Sequence, residues 1–305
     1  MPLSPSVISA MKQLLRFTGT DEEFVGSGRY NYQLNCNDRG HQTYFYITRE
    51  VGEVFAGKKI LDVGCGFGGT IKAFSAHGSM ATGIEKTVAV KPVLEANCSE
   101  EIAGNLINVH YGDASTNMLA DQISDKFDLI VLEDVFEHVY ELFDLLKNID
   151  AFSNPGCFIY FNIPNRFHPF YIEAEAHRKI RGLSLLPPDL WQSMGCGPGW
   201  SIFYRPFEML DLLLQHFGFR LFRTLKLPSH DFDWAIEQLE GIKERAKSDK
   251  LARYYLPQLT EYEFSMRKDH EKLSDAEFRW KYTTQSWRCI YKKDDSVVDQ
   301  ATNVN

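Results

Sequence analysis

The hydrophobic pattern of the chain falls into two alternating kinds of segment. Short, nearly unbroken apolar runs at residues 60–63, 80–85, 108–114, 127–134 and 156–164 read as strands covered on both faces. Between several of them apolar residues recur at helical spacing, at 70–76, 139–152 and 207–217. A strand at 218–227 and a last one at 286–292 complete the pattern. Strand and helix in alternation predict an α/β fold built on a doubly wound, mostly parallel sheet.

The pattern also sets the organisation around this sheet. Residues 1–57 read as an N-terminal helical extension, with helices at 7–17 and 42–55 and a polar, aromatic lid or loop at 26–32. Residues 58–293 form the main domain. Within it, 165–205 has little regular period and reads as an active-site loop. Residues 228–283 read as a helical insertion before the last strand, with stripes at Trp234, Leu239, Ile242, Ala246 and at Leu251, Tyr255, Leu259. Such an insertion covers the cleft or offers a surface for a homodimer, although a solvated helix face is the plainer reading of its charges. Residues 294–305 are polar and read as a flexible tail.

The candidate chemistry starts where the first apolar run breaks into Asp62-Val63-Gly64-Cys65-Gly66-Phe67-Gly68-Gly69. A strand turning through glycines into a helix lets backbone amides approach a nucleotide-like ligand. Gly64, Gly66 and Gly69 satisfy G-x-G-x-x-G, a dinucleotide fingerprint, while Asp62, Gly64, Gly66 and Gly68 satisfy D-x-G-x-G-x-G. Asp62 separates the two readings. A carboxylate beside the turn repels a pyrophosphate and attracts an ammonium. That favours S-adenosyl-L-methionine, which carries an ammonium and a sulfonium and no phosphate. Glu85, ending the second strand, has two acceptor oxygens for a ribose.

With Glu85, Gly112-Asp113-Ala114 and Glu133-Asp134-Val135-Phe136-Glu137-His138-Val139 in order behind the glycine turn, the chain resembles the class I S-adenosylmethionine-dependent methyltransferases. The resemblance spans roughly residues 58–227 plus the last strand. It implies a Rossmann-like, seven-stranded sheet whose last strand is antiparallel. It also implies that Gly64, Gly66 and Gly68 receive the methionine part, Asp62 its amino group, Glu85 the ribose and Asp113 the adenine. Glu133 would lie near the methyl-transfer channel. The neighbouring Cys65, Lys86 and Ala114 join the cofactor set, and Arg29, Tyr30 and Tyr32 would close over it from the N-terminal side. The loop after the fourth strand lacks the Asn/Asp-Pro-Pro-Tyr/Phe motif of enzymes that methylate amide nitrogens. The pattern is closer to small-molecule methyltransferases of ubiquinone, natural-product and glycan pathways.

Methyl transfer to a hydroxyl calls for a base, and histidine is the usual choice. His138 follows the fourth strand, where the topology places the cleft; its alternative is to cap or pack the helix. His168 and His177 lie in the loop after the fifth strand, where acceptors enter in related enzymes. Asp134, Glu137 and His138 form D-x-x-E-H, a possible divalent-ion set, although the expectation is that no metal binds. Aromatic residues of the loop, among them Phe167, Phe170, Tyr171, Trp191, Trp200, Phe203 and Tyr204, would wall the acceptor or simply pack.

Composition narrows the class. A net charge of −8 without a dense Lys/Arg run argues against nucleic acid as partner. No apolar run approaches a bilayer span, and six scattered cysteines without C-x-x-C read as reduced, in a cytoplasmic enzyme. The expected partner is a small-molecule acceptor, sugar-containing or otherwise, methylated on a hydroxyl. Rival readings are methylation of a small amine, a nicotinamide-dependent oxidoreductase using Gly64, Gly66 and Gly69, and a methyltransferase-like scaffold without activity.

Overall fold

The computed structural model describes residues 3–187, 190, 191, 194 and 202–295. Its sheet has seven strands: β1 (Lys59–Val63), β2 (Met80–Glu85), β3 (Ile107–Tyr111), β4 (Phe127–Glu133), β5 (Ser153–Pro164), β6 (Phe219–Thr224) and β7 (Ser286–Lys293). Their order is β3-β2-β1-β4-β5-β7-β6. The first five are parallel, and β7 runs antiparallel to both β5 and β6. Strand order reverses between β1 and β4, so a crevice opens there at the carboxyl ends of the strands.

Alternation along each strand builds two cores, one on each face. Leu61, Ile130, Leu132, Ile159 and Phe161 face the helices Leu142–Phe152 and Phe207–His216. Ile60, Leu129, Val131, Phe158 and Tyr160 face Tyr44 and Ile47 of the helix Cys36–Val51 and Phe74 of the helix Gly69–Ala76. Burial on both sides is why β4 is apolar nearly throughout.

The extension is more helical than its sequence implies. Two unexpected helices lie between the first and the next: Asp21–Gly26, started by a capping box between Thr20 and Glu23, and the short Asn31–Leu34, which takes up the end of the expected loop 26–32. The next helix starts at Cys36 instead of 42, and ends at Gly52, which takes the left-handed conformation with φ 77°. Beyond β4 the helix expected from 139 starts at Leu142; His138 ends a short 3₁₀ turn, Phe136–His138.

The insertion consists mainly of the helices Phe232–Ala246 and Ala252–His270. Ala235, Leu239, Ile242 and Ala246 form its buried stripe, with Trp234 half-buried beside it. Ala235, Leu239 and Ile242 of the stripe, with Tyr262 and Met266, pack on Ile172 and Leu185 of the segment after β5. Arg181 and Arg245 both reach Glu173, and Arg181 also reaches Asp249, tying the same segment to the insertion. Among the described residues, no helix is long and apolar enough to cross a membrane.

Candidate active site

β1 delivers its chain to the crevice and turns through three glycines in the left-handed region, Gly64 (φ 74°), Gly66 (φ 51°) and Gly68 (φ 83°). Space is also short: a Cβ on Gly64 would stand 2.9 Å from Val135, and one on Gly68 2.6 Å from the Cys98 sulfur. The loop's amides are largely engaged inside the protein. Gly64 and Cys65 both donate to the Ile84 carbonyl, at 2.8 and 3.1 Å, and Gly68 donates to the Cys65 carbonyl at 2.8 Å. Gly66 donates to Glu85 Oε2 at 2.9 Å. A pyrophosphate would have to displace a carboxylate from Gly66, beside further carboxylates. The loop is poorly made for that anion.

Two cavities of about 660 and 280 Å³ meet at Gly64 and Glu85. The larger has an apolar wall from Ile84, Val135 and Leu145 and a rim that includes Lys86, Asp113, Ala114 and Ser115. Asp113 pairs with Lys86 Nζ at 2.6 Å and accepts from the Ser115 amide and hydroxyl at 3.0 and 2.7 Å. Partial burial opposes ionisation, but Lys86 and Ser115 outweigh it and hold the Asp113 carboxyl below its ordinary range.

The smaller cavity is lined by Tyr32, Arg39, Asp62, Cys65, Gly66 and Glu133, among others. Asp62 is buried, and its carboxyl is pushed well above the usual range by burial and then by Glu133 and Glu85, with Arg39 working the other way. Glu133 is raised by burial and by Asp134, while the Thr43 hydroxyl, 2.8 Å from Oε2, opposes the shift. This is an acid-rich recess that a cationic group relieves. Arg39 supplies the opposite charge: its guanidinium lies 3.5 Å from the Tyr32 ring centroid, and Nη1 donates to the Tyr32 carbonyl at 3.4 Å. Glu85, expected at a ribose, accepts one amide on each oxygen, Gly66 on Oε2 and Thr87 on Oε1 at 2.6 Å. Each oxygen keeps capacity for a second donor.

Asp134 takes φ 55°, unusual for a residue with a side chain. It is held on both oxygens, by the Tyr32 hydroxyl at 3.1 Å and the Asn162 amide at 3.3 Å. Asn162 in turn accepts from Arg288 Nε at 3.2 Å. Glu137 is buried: among the described residues its Oε2 has no hydrogen-bond partner, and burial followed by Asp134 pushes its carboxyl well up. Asp134 is thus bound to Tyr32 and Asn162, and His138 meets the His177 ring. Among the described residues no three ligand-type side chains converge on a metal site.

The three candidate histidines part company. His138 lines the larger cavity and meets His177 edge to face, ring centroids 5.1 Å apart. His177 Nδ1 lies 2.7 Å from Glu175 Oε1. His168 lines neither cavity. It is buried, caps the helix Pro169–Glu173 by accepting the Phe170 amide on Nδ1 at 3.1 Å, and is pushed down to about 4 by burial and by His230. A nitrogen so placed holds a helix end and is not available to an acceptor.

Tyr30 is also displaced from its expected place. Its ring packs on Phe24 and Phe17 in the small core of the extension, and Tyr32 lines the cleft instead. Of the loop aromatics, Phe203 lines the larger cavity, Phe167 packs on Tyr262, and Trp200 lies outside the described residues. Arg39 and Thr43 escaped sequence reasoning. Their signal is Gly40: a glycine inside a helix marks a close approach, and residues beside it or one turn away share that approach.

An acid-rich recess thus opens beside a glycine turn, with an apolar slot next to it. Residues 40–223 match the family described as methyltransferase domain, and the chain belongs to that family, within the class I methyltransferases whose cofactor is S-adenosylmethionine. The chain is 31% identical over 129 residues to a ubiquinone biosynthesis O-methyltransferase of Pseudomonas fluorescens, covering 42% of this chain and 53% of the relative. It is 28% identical over 127 residues to the protein of the same description from Coxiella burnetii, covering 42% and 51%. The matches span about half the length of these relatives. In fold, the chain resembles a candidate sarcosine dimethylglycine methyltransferase from Galdieria sulphuraria, with TM-score 0.51, 16% identity and coverage of 85% and 86%.

Proposed function

We propose that the protein transfers a methyl group from S-adenosylmethionine to a hydroxyl of a small molecule. The observation that carries this reading is the junction at Gly64 and Glu85, where the acid-rich recess meets the apolar slot that His138 lines. When bound, S-adenosylmethionine supplies an electrophilic methyl on a sulfonium. Asp62 and Glu133 would hold the ammonium end and Arg39 the carboxylate; Glu85 would take the ribose and Asp113 the adenine. Gly64, Gly66 and Gly68 keep the floor low enough for close approach. His138 would take the hydroxyl proton of the acceptor. The choice of oxygen is supported by the relatives, which are described as O-methyltransferases.

The test is calorimetry with S-adenosylmethionine, S-adenosylhomocysteine and NADH on wild type and a folded Gly66→Val variant. The wild type should bind the first two and not NADH, and the variant neither, because a β-branched residue resists φ 51°. Binding of NADH alone would overturn the reading. A panel of hydroxylated aromatics and small amines, followed by release of S-adenosylhomocysteine, then fixes the acceptor. Undiminished turnover by His138→Gln would indicate an amine.

A further inference from the structure

Behind His138 stands a carboxylate that no part of the cofactor cleft requires. Glu175 is fully buried. Its two oxygens accept from the backbone amides of His177 and Arg178, from the Tyr204 hydroxyl at 2.6 Å and from His177 Nδ1 at 2.7 Å. Burial alone would raise its pKa, but these donors pull it down to about 2. Glu175 is therefore a fixed anion, and it acts only as an acceptor. His177 must present Nδ1–H to it, which makes Nε2 the basic nitrogen. The side chain of His177 is 36% exposed and stands edge to face with His138, interplanar angle 87°.

We propose that Glu175 and His177 are positioning residues for His138, and that the three side chains work as one proton-accepting unit. The inference rests on the hydroxyl-methylation reading. Glu175 locks the tautomer and orientation of His177. His177, polarised by that anion, packs against His138 and stabilises the imidazolium that forms when His138 takes a proton. Among the described residues, the other charged or titratable groups near His138 are Asp134, Glu137 and Glu141 from its own segment, Arg205, which binds the Phe136 and Tyr140 carbonyls, and Lys86 and Asp113 across the cleft. None of these is altered in the Glu175 and His177 variants, so the shift the variants share reports the pair.

The experiment is a histidine ¹⁵N NMR titration of the intact chain with S-adenosylhomocysteine, in wild type, Glu175→Gln and His177→Leu. The last removes the ring at a partly exposed position, and so guards against loss of fold in the buried Glu175 variant. In wild type His177 should be the Nδ1–H tautomer. In both variants His138 should titrate about half a pH unit lower, and S-adenosylhomocysteine affinity should not change. If the wild type binds no S-adenosylhomocysteine, the parent reading fails. If it binds, and His138 titrates at the same pH in all folded variants, the unit does not exist. A purely structural role would alter melting without moving the His138 titration, and that outcome also overturns the proposal.

Discussion

Gly40 and Gly69 meet backbone to backbone where the helix Cys36–Val51 crosses the start of the helix Gly69–Ala76. A Cβ on Gly40 would collide with the Gly69 carbonyl, and one on Gly69 with the Cys36 carbonyl. This approach seats Arg39 and Thr43 over the glycine turn. It also explains the last glycine of G-x-G-x-x-G: Gly69 serves helix packing, not a phosphate.

Gly40→Ala is therefore expected to destabilise the fold by about 1–3 kcal/mol, as overpacking against backbone does, and to lower the melting temperature by several degrees. S-adenosylhomocysteine affinity should weaken with it, since Arg39 moves with the helix. A melting temperature within a degree of wild type would show that the two helices can separate at little cost.

The strands were legible because both sheet faces are covered: the apolar runs left little choice at β1, β2 and β4, and the Asp62-to-Gly68 turn located the crevice. What escaped came from long-range packing. Nothing local in Asn31-Tyr32 shows that the Tyr32 hydroxyl reaches Asp134, 102 positions later. Tyr30 and Tyr32 look alike in sequence, and only the helix Asn31–Leu34 turns one into the extension and the other toward the cleft. His168 and His177 share one loop, yet a proline-led helix start makes the first a cap, and Glu175 makes the second a partner of His138.

Asp62→Asn should separate stability from affinity. The carboxyl's pKa is raised well above its usual 3.8 in the fold, so the unfolded chain releases this proton at lower pH. Stability without ligand then falls as pH rises from about 4 through the raised value, and the penalty persists above it. The amide removes it. The variant should melt higher than wild type at neutral pH and bind S-adenosylmethionine at least about tenfold more weakly, having lost a charge-assisted hydrogen bond. Calorimetry and melting on one preparation check both; unchanged affinity would remove Asp62 from the cofactor site.

Arg39→Ala tests the opposite charge. S-adenosylhomocysteine should lose about tenfold to a hundredfold in affinity, the range for a hydrogen bond to a charged group. 5′-Methylthioadenosine, which lacks the amino-acid end, should bind both proteins equally. Equal losses for the two ligands would mean that Arg39 supports the loop and does not contact the carboxylate.

His168 should leave a signature in acid. Its pKa is pushed down to about 4 in the fold against an ordinary 6.5, by burial and by His230. The unfolded chain therefore binds the extra proton first, and stability that is complete above pH 6.5 drains away as pH falls toward 4. The size is at most about 3 kcal/mol. His168→Asn keeps a side-chain acceptor for the Phe170 amide and has no proton to gain. Denaturant midpoints measured from pH 7.5 to 4.5 should fall more steeply for wild type than for the variant, with methyl transfer at neutral pH retained. Parallel curves would mean that the ring is more open to water than its burial indicates, and a loss of transfer would return His168 to the acceptor site.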